Sequence, residues 1–151
     1  MWQAIFSVVN IIALIGWIIL VFLPRRPLPL TAVLYLGVGL LCLIYSAGLI
    51  SLLTGLAGGS GIGEAGANFW SIEGVRAIFA SDGGVTIGWT HYLAFDLFIG
   101  LWIVRDADAK QFSRLVQVPI LLATLLAGPL GLGIWLMIRE RRARLYGRMR
   151  K

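Results

Sequence analysis

Residues 2–23, WQAIFSVVNIIALIGWIILVFL, pass without one charged side chain before Pro24, Arg25, Arg26 and Pro27 close the run. A bilayer core takes about 20 apolar residues as a helix, and in lipid the backbone must satisfy its own hydrogen bonds. Such a run predicts a membrane-crossing helix. It is too long for the apolar core of a secretory signal, lacks a basic segment before it and has no small-residue cleavage site ahead of the arginines, so it reads as retained. Three further runs follow. The second extends from Leu28 to about Leu56, with the span taken as 28–53. The third is 85–104, ended by Arg105, Asp106 and Asp108, and the fourth is 115–138, ended by Arg139, Glu140, Arg141 and Arg142. The second exceeds one crossing and is expected to tilt, bend at Gly37 and Gly39, or fray into the loop.

Composition agrees. The 151 residues are 59% hydrophobic and 13% charged, whereas a soluble domain carries roughly 25% charged residues. The expectation is all-α: one transmembrane domain over 1–151, an integral membrane four-helix bundle with an interfacial helix between the second and third spans. The net charge of +6 is uneven, because seven of the thirteen basic residues lie in the tail 139–151. A basic tail after an apolar span predicts membrane lipids with anionic headgroups as partners, not nucleic acid. Four crossings place both termini on one side. The basic count favours the cytoplasm for that side, while Arg25 and Arg26 after the first span argue for the opposite. Cys42, the single cysteine, reads as a core or lipid-facing residue.

The stretch 57–84 is the most polar. It opens with Gly58-Gly59-Ser60-Gly61-Ile62-Gly63, a flexible linker; no Gly-Lys-Ser/Thr follows, which excludes a phosphate loop. In 68–81, Ser71 is placed to cap a short helix carrying Ile72, Val75, Ile78 and Phe79 on one face, suited to lying in the interface. Asp82-Gly83-Gly84 is expected to turn into the third span.

That third span, VTIGWTHYLAFDLFIGLWIV, holds the two residues that matter most for chemistry. Asp96 lies about 16 Å in, near the midplane, where an ionisable residue costs at least about 2.5 kcal/mol. It is expected to face other helices, with Asn10 or Thr124 as partner. His91, the only histidine, sits about 140° away around the helix, so a direct pair is not expected. The bland alternative is that both residues only hydrogen-bond helices together. In the fourth span, Ala123, Ala127 and Gly131 form a small-residue ridge for close packing. Pro129 is expected to kink that helix and free the carbonyl of Leu125. Trp2, Trp70 and Trp89 suit an interfacial belt or a groove for a flat conjugated ligand. No metal site is expected from one histidine and scattered carboxylates, no nucleophilic triad is spaced recognisably, and no cofactor is implied.

Phe79-Ala80-Ser81-Asp82, Trp89-x-His91, Asp96-Leu97-Phe98, Asp106 and Gly128-Pro129-Leu130-Gly131 together resemble the abscisic-acid-deficient-four family. The resemblance covers the chain from about Val21 and is strongest over 73–131. It implies a neoxanthin synthase-like membrane protein of carotenoid biosynthesis. The implied activity is an isomerase that opens a xanthophyll epoxide to an allene with no net redox change, on an apolar polyene substrate. Such a reaction needs an acid at the epoxide oxygen and a base for a carbon-bound proton. Asp96 is the expected acid and His91 the expected base, with Trp70, Phe79, Trp89, Phe98 and Pro129 lining a groove for the substrate. With no plastid transit extension, a bacterial relative in the inner (cytoplasmic) membrane is expected. Two other classes stay open: a non-catalytic accessory or scaffold subunit of a lipid or carotenoid pathway, and a small transporter, for which a bundle of this size would have to form a homo-oligomer.

Overall fold

The computed structural model describes residues 1–56 and 67–149, with side chains as far as Glu140. The glycine string at 58–63 and the side chains of the basic tail beyond Glu140 lie outside the described residues. The regular elements are all helical: α1 (Trp2–Phe22), α2 (Pro27–Ala32), a π-helical stretch (Val33–Gly39), α3 (Leu40–Leu53), α4 (Ile72–Ile78), α5 (Asp82–Ala109), α6 (Arg114–Leu126) and α7 (Gly128–Met149). Three helical stretches, Trp2–Phe22, Pro27–Leu53 and Asp82–Ala109, are long and apolar enough to cross a membrane. Pro27 opens the second in the first turn, where a missing N–H costs nothing. The bend expected at Gly37 and Gly39 takes the form of the π-helical stretch that contains both.

The chain divides into two compact units. The first joins Met1–Ile15 to Tyr35–Ala94. Val9, Val38, Leu41, Ile87 and Leu93 form its core. α3 and α5 approach closely at Gly48, where an added Cβ would stand 3.1 Å from Ile87. The short helix expected after Asn68 is present as α4, with Ser71 as its cap accepting from the Gly74 N–H at 3.0 Å. Ile72 and Val75 leave its apolar face exposed. The turn expected at Asp82-Gly83-Gly84 is instead the first turn of α5. Ser81 Oγ accepts from the Gly84 N–H at 3.1 Å, and Asp82 sits at the positive end of the helix dipole. The glycines serve close approach: a Cβ at Gly84 would collide with the Ile78 carbonyl at 1.7 Å.

The second unit joins Gly16–Leu34 to Phe95–Lys151. α1 and α5 interlock here through two glycines. Leu97 fills the space above Gly16, and Trp17 fills the space above Gly100; Trp17, Leu20, Leu97 and Leu101 are all nearly or fully buried.

The fourth run differs from expectation, because it is two antiparallel helices. Ala127 is extended (φ −157°, ψ 88°) and separates α6 from α7. A Cβ on Gly131 would lie 2.5 Å from the Thr124 nitrogen and 2.6 Å from its Cα, whereas seven residues of unbroken helix span about 10.5 Å. The rings of Phe112 and Trp135 meet edge-on at 4.9 Å, although an unbroken helix between them would hold them about 35 Å apart. The chain has therefore turned back on itself. Pro129 explains why the helix stops, since it has no N–H for the Leu125 carbonyl. At the second position of α7 that N–H is not needed. Gly131 and Thr124 explain why reversal replaces a kink, since only a hydrogen at 131 lets the arms come so close. Three long apolar helices and a hairpin of α6 and α7, 13 and 22 residues long, stand where a four-helix bundle was expected.

Candidate functional site

Within the second unit, Asp96 is 5% exposed. Its carboxyl lies against the turn of the hairpin: a Cβ on Gly128 would meet Asp96 Oδ1 at 1.9 Å and Cγ at 2.6 Å. Gly128 is the first residue of α7, where backbone N–H groups have no partner within the helix and the dipole is positive. Asp96 thus faces a helix end rather than either expected polar side chain. Thr124 donates its hydroxyl to the Ile120 carbonyl at 2.8 Å. Asn10, in the first unit, donates to the Phe6 carbonyl and accepts from Trp89 Nε1 at 3.1 Å.

A polar clamp holds the other end of the hairpin. Asp106 accepts from Arg139 Nε at 2.7 Å, from Trp135 Nε1 at 3.1 Å and from Lys110 Nζ. Asp108 accepts from Gln117 Nε2 at 3.0 Å, and the same nitrogen donates to the Phe112 carbonyl at 2.9 Å. So α7 is tied to α5 through Asp106, and α6 through Asp108. Arg25 stands 3.8 Å from Asp108. Burial pulls its guanidinium below the ordinary arginine range; Asp108 opposes that shift and Arg114 adds to it. Arg114 itself donates to the Leu23 carbonyl at 2.7 Å. Sequence reasoning took Asp108 and Arg139 as charges that end spans, and Asp106 as such a charge and as part of the family resemblance, and missed Gln117 and Trp135. The available signals were a glutamine inside an apolar run and the four-residue spacing of Trp135 and Arg139, which puts both on one helix face.

In the first unit, His91 is on an exposed face of α5, its ring 5.4 Å from that of Tyr45. Trp89 belongs to an aromatic row with Phe6 at 6.1 Å and Tyr92 at 5.2 Å. Phe79 packs over Gly88, and Trp70 is 96% exposed. In the second unit, Phe98 and Pro129 are both exposed. The structure thus puts His91, Trp70, Phe79 and Trp89 in one unit and Asp96, Phe98 and Pro129 in the other. The first unit also holds a groove of about 480 Å³ between the starts of α1 and α5 and the end of α3. Ile5, Val8, Ile44 and Ile87 give it apolar walls, with Ser51 and Thr86 as polar points. None of the seven expected site residues lines it.

A family model described as ABA DEFICIENT 4-like matches residues 4–135. No curated protein and no solved structure matches the chain.

Proposed function

Because the chain belongs to the ABA DEFICIENT 4-like family, we propose that it is a membrane-embedded, carotenoid-modifying protein of isomerase type, related to neoxanthin synthase. Trp2–Phe22, Pro27–Leu53 and Asp82–Ala109 cross the bilayer, and α6 and α7 enter it as a hairpin. The substrate is a lipid-dissolved xanthophyll epoxide. In the isomerisation, the epoxide C–O bond on the polyene side breaks and the oxygen takes a proton to become a hydroxyl. A neighbouring vinylic carbon gives up a proton, and that electron pair closes the allene. Atoms and electrons balance without an oxidant or a cofactor.

The observation that carries this reading is the buried Asp96 carboxyl at the start of α7. An acid that protonates the epoxide is left as a carboxylate, and the positive dipole end of a helix start stabilises that product. A site already aligned with the charge it must hold lowers the barrier without reorganising.

The test uses the full chain in lipid nanodiscs with an epoxy-xanthophyll, following the allenic product by chromatography and its absorbance. Asp96→Asn keeps the size but cannot protonate the oxygen, and turnover should fall at least 10²-fold, the usual worth of general acid catalysis. His91→Gln tests by itself the base role expected from the sequence, and turnover equal to that of the parent would refute that role. Turnover by Asp96→Asn equal to that of the parent would refute the acid role. Absence of turnover in the parent chain with every epoxy-xanthophyll tried would favour an accessory subunit.

A further inference from the structure

The groove of the first unit has an unusual pair of hydroxyls. Side-chain hydroxyls on helices commonly fold back onto the carbonyl four residues earlier. Ser7, Ser46, Thr54, Thr90 and Thr124 all do so, to Gln3, Cys42, Ile50, Thr86 and Ile120 respectively, at 2.7–3.0 Å. Ser51 and Thr86 do not, and neither side chain has a hydrogen bond among the described residues. Both line the 480 Å³ groove. Thr86 is only 3% exposed as a residue, yet its oxygen is not among the fully buried atoms without a partner, so the little surface it keeps leaves the hydroxyl open to a ligand in the groove that it lines. Among the described lining residues no side chain is charged, but Met1 with its α-ammonium is one of them, so an anionic lipid is the competitor that the test must include.

We propose that this groove is a binding site for an uncharged, lipid-soluble alcohol, with the hydroxyl of the ligand between Ser51 and Thr86 and its apolar body along Ile5, Val8 and Ile87. The volume is that of a small-molecule site, and apolar walls with a few placed polar groups are the usual makeup of one. Trp2 is also in the lining, as suits a site at the level where a membrane alcohol keeps its hydroxyl near water. The inference goes beyond the isomerase reading and does not depend on it, because Asp96 is not part of the groove.

All-trans-retinol is a suitable probe, since its polyene quenches tryptophan by energy transfer; anhydroretinol, the corresponding hydrocarbon, is the control. Both are titrated into the detergent-solubilised full chain. Ser51→Ala and Thr86→Val should each weaken retinol about 2- to 10-fold, the worth of one hydrogen bond, and leave anhydroretinol unchanged. Ser51→Thr keeps the hydroxyl and should bind retinol as the parent does. Ala47→Trp fills the groove and should remove both ligands. Phosphatidic acid should not displace retinol. Unchanged retinol affinity in Ser51→Ala and Thr86→Val overturns the proposal, as does equal loss of retinol and anhydroretinol in those two variants, or displacement by phosphatidic acid. Binding needs no turnover, so a failed isomerase assay leaves this result standing, and a failed retinol titration leaves Asp96 untouched.

Discussion

Gly131→Ala should separate the hairpin from any continuous fourth helix. The new Cβ would stand 2.5 Å from the Thr124 nitrogen and 2.6 Å from its Cα, where ordinary contact begins at 3.4 Å. The arms must therefore part by almost an ångström, and because the obstacle is backbone, no rotamer change relieves it. Overpacking of this kind costs about 1–3 kcal/mol, with the upper end expected against backbone. Parting the arms also strains the bonds from Trp135 and Arg139 to Asp106. Near 150 residues each kcal/mol moves the melting temperature by about 2–4 °C, so a fall of about 6–12 °C is expected in detergent for the upper end of that cost. Gly133→Ala is the control: nothing lies within 4 Å of its Cβ, and alanine in a helix gains about 0.5–1 kcal/mol over glycine. The two substitutions, two residues apart in one helix, should move stability in opposite directions. A Gly131→Ala protein that melts at or above the parent would mean that α7 does not fold back on Thr124.

Gly128→Ala should displace the Asp96 carboxyl, which lies 1.9 Å from the new Cβ, and lower turnover more than it lowers melting temperature; equal turnover would sever Gly128 from the site. Asp106→Ala should cost about 2–3 kcal/mol because it strands Arg139 and Trp135, and a double-mutant cycle with Trp135→Phe should show coupling of about 0.5–1.5 kcal/mol, with zero coupling counting against that bond. With Cys42 replaced by serine, single cysteines at Gln111 and Glu140 should react with an impermeant maleimide from the same side of the bilayer. Labelling from opposite sides would mean that 114–138 crosses.

What the sequence revealed and what it hid divide along one physical line. The three long helices were legible because apolar length is a local property: Pro24 to Pro27 stops the first, and Arg105 with Asp106 ends the apolar part of the third, although its helix runs on to Ala109. The Ser71 cap was legible for the same reason, since a cap and its N–H partner lie three residues apart. The reversal at Ala127 was not. A proline preceded by small residues gives one local signal for a kink, a break or a turn, and contacts far along the chain decide among them. Here those contacts are Trp135 and Arg139 with Asp106, and Gly131 with Thr124. The ridge expected from Ala123, Ala127 and Gly131 needed one unbroken helix, and the break at Ala127 removes it; what remains is Gly131 on α7 in close approach to Thr124 on α6.

Length alone held a clue. From Arg114 to Leu126 there are 13 helical residues, too few for a bilayer that needs about 20, and the apolar part of α7 before Arg139 is no longer. Two short apolar arms with charged ends and a Gly-Pro between them suit a hairpin that dips in and returns. The buried carboxyl follows from the same geometry. Asp96 is ten residues before Asp106 on α5, about 15 Å along the axis, and the stretch of α7 from Gly128 to its clamped residue Arg139 is about 16.5 Å long. Clamping the open end at Asp106 and Asp108 therefore delivers the turn, and with it the start of α7 and its positive dipole end, to the depth of Asp96. On this account the surface network and the buried acid are one device. Loosening the clamp at Asp106 should be felt at Asp96, some three helical turns away, before the long helices themselves unfold.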